Sequence, residues 1–181
     1  MATSAILEVK GGGLLNTLNT LWRQLFEKGI VDALLIPQEL PSRENVVQTL
    51  VSRAESLGSP SPLAPVLPVN SARIVSQMTK VTPSPKKVGV VLRSCELRAL
   101  IELVKLKQAS LENLVLIGID CFGTYSIKDY GKLAKDGSSP TEAFLKVVKN
   151  GKEDLSLRQA CQMCEYPAPM NADITIGLIG S

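Results

Sequence analysis

Four cysteines, Cys95, Cys121, Cys161 and Cys164, are the residues of this 181-residue chain best suited to chemistry. Cys161-Gln162-Met163-Cys164 sets two thiols three positions apart, so a turn lets both sulfurs converge on one metal or one cluster. Loop-closure entropy grows only logarithmically with intervening chain, so the distant Cys95 and Cys121 are admissible partners. Four thiols fit two inorganic centres, tetrahedral zinc or an iron–sulfur cluster. Local spacing favours neither, although structural zinc commonly uses two close pairs and this sequence has one. Without metal, Cys95 and Cys121 read as buried apolar thiols, and Cys161 with Cys164 as a reversible disulfide. The chain has no histidine. That removes His-based zinc sites, Ser-His-Asp triads and Cys-His nucleophile pairs.

The elements that must position these thiols can be read from periodicity. Leu14, Leu15, Leu18, Leu21, Trp22, Leu25 and Phe26 recur at helical spacing after Gly11-Gly12-Gly13 and before a Lys28-Gly29 stop. Asp32–Ile36 reads as a short buried strand closed by Pro37. Residues 44–57 read as a second amphipathic helix, with Val46, Val47, Leu50, Val51 and Ala54 on one face. Residues 58–68 form a proline-rich, extended connection. Asn70 or Ser71 caps a short helix ending near Lys80. Lys87–Leu92 predicts a strand, Glu96–Leu106 a helix and Leu114–Ile119 another strand. This β-α-β order implies parallel strands joined by a right-handed crossover. Two short helices are expected around the loop 136–140 within residues 128–154, and a last strand at Asp173–Ile179.

The fold class is therefore α/β: a partly parallel sheet with flanking helices and a loop-borne four-cysteine site at the sheet rim. Cys95 and Cys121 each follow a predicted parallel strand, so both thiols reach the same rim, where open α/β sheets bind ligands. The chain divides into a helix-strand-helix part, residues 1–82, and a βαβ part, residues 83–181, that carries all four cysteines. Arg93 and Arg98 flank Cys95 and can bring positive charge to an anionic cluster or a flavin phosphate; the alternative for Arg98 is a solvated helix end. Asp120 reads as a strand-end turn former.

Composition narrows the function. The chain is 45% apolar and 20% charged, with a formal charge of +3, and has few aromatic residues for base stacking, so no nucleic-acid partner is expected. No segment reaches the ~20 apolar residues of a membrane span, and the N-terminus lacks the basic start and apolar run of a signal peptide. The expected location is the cytoplasm, where four cysteines read as metal ligands or redox groups before disulfides.

Four stretches carry a resemblance. Lys87-Val-Gly-Val-Val-Leu-Arg-Ser-Cys-Glu-Leu-Arg-Ala-Leu, Leu116-Ile-Gly-Ile-Asp-Cys-Phe-Gly-Thr, Cys161-Gln-Met-Cys-Glu-Tyr and Ala172-Asp-Ile-Thr-Ile-Gly resemble the coenzyme F420 hydrogenase/dehydrogenase beta-subunit family, nearest to its formate dehydrogenase type. The resemblance runs from about Gly11 to Ser181, and its four cysteine positions are all matched. It implies that Cys95, Cys121, Cys161 and Cys164 bind one [4Fe–4S] cluster and that the subunit also binds FAD, which passes electrons between the cluster and F420 or a partner. It also implies that the glycine-led first helix, with Gly11, Gly12 and Gly13, belongs to the flavin-binding half. Glycines let backbone approach a phosphate, and a helix N-terminus favours anionic charge. Family members usually continue past the stretch matching Gly177–Ser181, so the resemblance implies a chain truncated at its C-terminus. The implied partners are a catalytic formate dehydrogenase or hydrogenase subunit, ferredoxin or heterodisulfide reductase. The readings set against electron transfer are a non-catalytic assembly subunit and a zinc-stabilised four-cysteine binding domain.

Overall fold

The computed structural model describes residues 3–9, 13–135, 139–151 and 156–179. The chain folds as a mixed α/β structure around one five-stranded sheet, ordered β2-β1-β3-β4-β5. The strands are β1 (Ala33–Glu39), β2 (Val46–Val51), β3 (Val88–Arg93), β4 (Leu114–Ile119) and β5 (Ile174–Ile176). β1 pairs antiparallel with β2; the β1–β3, β3–β4 and β4–β5 pairings are parallel. The helices are α1 (Gly13–Glu27), α2 (Ser71–Thr79), α3 (Ser94–Lys105), α4 (Ile127–Ala134), α5 (Pro140–Lys149) and the single turn α6 (Gln159–Gln162). Among the described residues no helix is long and apolar enough to cross a membrane.

Side chains alternate across the sheet and build a core on each face. On one face Leu34, Ile36, Val91, Ile117 and Ile119 pack with Leu18, Trp22 and Leu25 of α1. On the other, Ala33, Leu35, Val88, Val90 and Leu92 pack with Ala72 and Val75 of α2 and Leu97 and Leu100 of α3. Gly89 leaves room on the α1 face: a Cβ there would lie 2.8 Å from Leu34 Cδ1 and 2.9 Å from Val31 Cγ1. A third cluster joins Val46, Ala64, Val66, Tyr125, Tyr130 and Phe144 beneath α4 and α5.

The helices read from sequence at residues 14–26, 71–80 and 96–106 are present, as are the two short helices of residues 128–154. Asn70 accepts the Ala72 N–H and caps α2. The helix read over residues 44–57 is not there. Val46–Val51 is the edge strand β2, followed by one 3₁₀ turn at Ala54–Ser56. Val46, Val47, Thr49 and Val51 are β-branched and stiff at χ1, and the free row of donors and acceptors along β1 pairs with them from Leu34 to Glu39. Long-range pairing has overridden a helical period.

Pro37 does not close β1, which runs on to Glu39. Pairing with β3 ends at Leu35, and the Pro37 carbonyl turns to the Ser61 N–H at 2.8 Å, so the missing proline N–H breaks no ladder bond. The proline-rich connection is no solvated spacer either: residues 60–66 are buried. The last strand is shorter than residues 173–179. The Asp173 carboxylate takes the Leu116 N–H, and the N–H groups of Leu178 and Ile179 turn to Asp120 instead of a strand.

Leu34 is fully buried between β3 and α1. Leu34→Ala is expected to cost about 2–5 kcal/mol in urea unfolding, as core truncations that leave a cavity do; a loss below about 1 kcal/mol would contradict this packing.

Candidate functional site

The parallel strands β3 and β4 end side by side, Arg93 opposite Ile119. Cys95 follows as the second residue of α3, and Cys121 stands two residues past β4. Both thiols are thus delivered to the C-terminal rim of the sheet. The segment bearing Cys161 and Cys164 is fastened across the same rim. The Arg158 N–H bonds the Thr124 carbonyl at 2.9 Å, and the Cys121 N–H bonds the Pro167 carbonyl at 3.0 Å. Gly123, at φ +107°, is the close-approach point: a Cβ would lie 2.7 Å from Leu157 Cδ1. Gly118 serves likewise beneath Pro169. Arg98 on α3 lies 4.8 Å from the ring centroid of Tyr166, two residues beyond Cys164, a cation–π contact between the Cys95 helix and the Cys164 segment.

Cys161 is on α6 rather than in a loop, and Thr124 Oγ1 lies 3.2 Å from its sulfur, with Arg158 Nη2 at 3.9 Å. Burial works to raise the Cys161 thiol, but the Thr124 contacts and Arg158 outweigh it and hold it below the ordinary thiol value. Cys95 behaves in the opposite way. Cys95 as a residue is exposed, but the protein packed around its sulfur desolvates the thiol and pushes it up to about 11, with the charges of Glu96, Cys121 and Cys161 adding to that and Arg93 opposing it. Cys95 therefore feels both Cys121 and Cys161 electrostatically. Cys164 is exposed, and its N–H bonds the Cys161 carbonyl at 3.3 Å. All four thiols are free. Among the described residues no three Cys, Asp or Glu side chains stand close enough together to hold a single metal ion. The donors are four soft sulfurs with no imidazole, a set that suits either zinc or an iron–sulfur cluster.

Arg93 is buried, and its guanidinium turns beneath the proline-rich segment, where Nη2 donates to the Pro62 and Ala64 carbonyls. Its charge still reaches Cys95. Of the leading glycines, Gly11 and Gly12 lie outside the described residues. Gly13 opens α1 at φ +79° with nothing within 4 Å of where a Cβ would sit, and the first turn of α1 carries no acidic residue. The turn at residues 28–32 leads from α1 directly into β1, so the helix runs back along that strand and its N-terminus faces the rim.

Sequence reasoning missed three supports of the site. Asp120 is not merely a turn former: it is buried, and its Oδ2 accepts the Leu178 and Ile179 N–H groups at 2.7 and 2.8 Å. Thr124 and Arg158 meet at Cys161 across a gap in sequence that no local pattern spans. Tyr166, two positions after a cysteine, carried no signal for stacking on Arg98.

The chain is similar to two curated proteins along most of its length. It is 29% identical to the F420-dependent formate dehydrogenase 1 subunit beta of Methanococcus maripaludis over 96% of this chain and 49% of that protein. It is 23% identical to the F420-dependent formate dehydrogenase subunit beta of Methanocaldococcus jannaschii over 91% of this chain and 48% of that protein. These are its homologues. The resemblance to the formate dehydrogenase beta type is thus borne out, and the chain spans about half the length of the curated relatives it matches. No protein-family model matches the chain.

Two outcomes follow for the metal-free protein. In an alkylation series with iodoacetamide read by peptide mass spectrometry, Cys161 should react below the ordinary thiol range and Cys95 only as pH nears 11; the reverse order would contradict the site's electrostatics. Gly123→Val should free the segment at residues 156–167, seen as faster hydrogen exchange there with the sheet still protected. Unchanged exchange would show that Leu157 does not depend on that glycine.

Proposed function

We propose that this chain is an electron-transfer subunit of a formate dehydrogenase-type complex, with Cys95, Cys121, Cys161 and Cys164 holding a [4Fe–4S] cluster. The supporting observation is the fastening of the Cys161–Cys164 segment across the rim that already bears Cys95 and Cys121, which puts Cys121 and Cys161 each within electrostatic reach of Cys95. The names of the two relatives point to the same reaction class.

In this reading FAD lies on the side of residues 1–82, with Gly13 and the N-terminus of α1 toward its phosphates, while residues 83–181 carry the cluster. A bound cluster supplies one-electron transfer, and a flavin couples it to two-electron or hydride chemistry with F420. The protein's own contribution is positional and electrostatic. Thr124 and Arg158 stabilise the Cys161 thiolate as a ligand, and Arg93 offsets the negative charge gathered near Cys95. Tyr166 and Arg98 hold the Cys164 segment to α3. The catalytic formate dehydrogenase or hydrogenase subunit is the proposed partner, with ferredoxin or heterodisulfide reductase as further redox partners. Four unbridged thiols suit the reducing cytoplasm.

Anaerobically purified protein should be brown and hold about four irons and four acid-labile sulfides per chain, the content of one such cluster, with flavin measured in the same sample. Cys161→Ser should lose most of the iron. A colourless chain after anaerobic reconstitution would favour an assembly subunit, and one zinc per chain a zinc-stabilised domain; either result overturns the electron-transfer reading.

A further inference from the structure

One edge of the sheet is β2. Which way its backbone groups point follows from β1. Gln38 of β1 is bridged by Val47 on one side and by Pro60 on the other. On the Pro60 side the Glu39 N–H donates to the Ser59 carbonyl and the Pro37 carbonyl accepts the Ser61 N–H. Backbone direction alternates along a strand, so Leu34, Ile36 and Gln38 turn their groups toward β2. Their register partners Val51, Thr49 and Val47 answer them. The N–H and C=O groups of Gln48 and Leu50 therefore point out of the sheet, and among the described residues no loop or helix backbone takes them.

Proteins commonly guard such an edge with Lys, Pro or a bulge. From Val46 to Val51 there is no charge and no proline, and the register with β1 is unbroken. Val47 and Leu50 are half exposed, one on each face of the strand. Charge gathers only at its two ends: Arg43 and Glu44 before it, Arg53 and Glu55 after it, all four exposed.

We propose that β2 pairs antiparallel with β2 of a second copy of this chain, about a two-fold axis at Thr49, joining two five-stranded sheets into one. A two-fold axis sets the start of one strand against the end of the other. Centred on Thr49, it brings the outward groups of Gln48 and Leu50 together across the junction. It also places Arg43 opposite the partner's Glu55 and Glu44 beside the partner's Arg53. Centring on Gln48 would instead oppose Arg43 and the partner's Arg53, and like charges directly opposite destabilise a strand pair. The end charges thus favour a second copy and select its register. The strand β1 separates β2 from β3 and β4, which deliver Cys95 and Cys121, so the pairing does not depend on what the thiols bind.

The test is sedimentation velocity of the full chain under reducing conditions, with hydrogen exchange on the same samples. A junction of one strand pair falls below the ~1,200 Å² of standard interfaces, so a dimer is expected at about 100 µM that dissociates toward about 1 µM. The amides of Gln48 and Leu50 should be protected only in the dimer. Glu44→Arg and Arg53→Glu should each weaken it about tenfold, and the double reversal should restore it. Gln48→Pro, which removes an outward N–H and no bond to β1, should abolish it; the two charge reversals keep the test decisive if that variant does not fold. A monomer at every concentration, a dimer indifferent to the single reversals, a double reversal that fails to restore it, or Gln48 and Leu50 amides unprotected in the dimer would each overturn the proposal.

Discussion

The arrangement at the sheet rim depends on how the C-terminal segment is held to the end of β4. Asp120 is the decisive residue. Its backbone N–H bonds the Ile176 carbonyl, and one oxygen of its buried carboxylate takes two further N–H groups from the residues after β5. Hydrogen bonds to a charged acceptor are among the stronger ones available to a protein, and their loss leaves a buried charge uncompensated. Around this anchor the Cys121 N–H reaches Pro167 and the Leu116 N–H reaches Asp173. Without these contacts the segment from Cys161 to Pro167 would be tied to the end of β4 chiefly through the three-residue edge strand that follows it. With them it lies across the residues that follow the two parallel strands.

Glu96 is the matching anchor at the end of β3. It stands only three positions beyond the last residue of that strand, yet its carboxylate also holds the first residue of α2. Two helices and a strand end are thereby fixed to a single buried group. That fixes the pitch of the first turn of α3, and with it the place of Cys95. A cysteine on a helix start tied this way is set by backbone, not by its own side chain.

Much of this was legible in the sequence. Long apolar runs such as Val88–Leu92 and Leu114–Ile119, with an amphipathic helix between them, have few alternative folds, and they alone direct Cys95 and Cys121 to one rim. Residues 44–57 misled because their apolar spacing fits a helix, while their β-branched content and an open β1 edge fit a strand; only the partner strand decides. Burial of the proline-rich stretch was hidden for a related reason. Its carbonyls serve Arg93 and its neighbours are Tyr125 and Phe144, far along the chain. Asp120 and Thr124 were invisible as supports because their partners lie more than thirty residues away.

The two best-defined thiols differ for a physical reason that bears on how such a site works. Cys95 sits where protein mass and the Glu96 carboxylate oppose a negative charge; Cys161 sits where a hydroxyl and a guanidinium favour one. The same Glu96 that fixes the Cys95 helix therefore makes Cys95 the reluctant thiolate. A cationic centre removes that conflict, because a metal-bound thiol is deprotonated outright. In the proposed cluster reading, Cys161, whose charge is already favoured, would be the readiest ligand, and Cys95 would join when positive charge replaces its proton. The rim is held by Asp120 and backbone hydrogen bonds, and in the proposed reading a bound centre would supply the positive charge that the ionisation of Cys95 lacks.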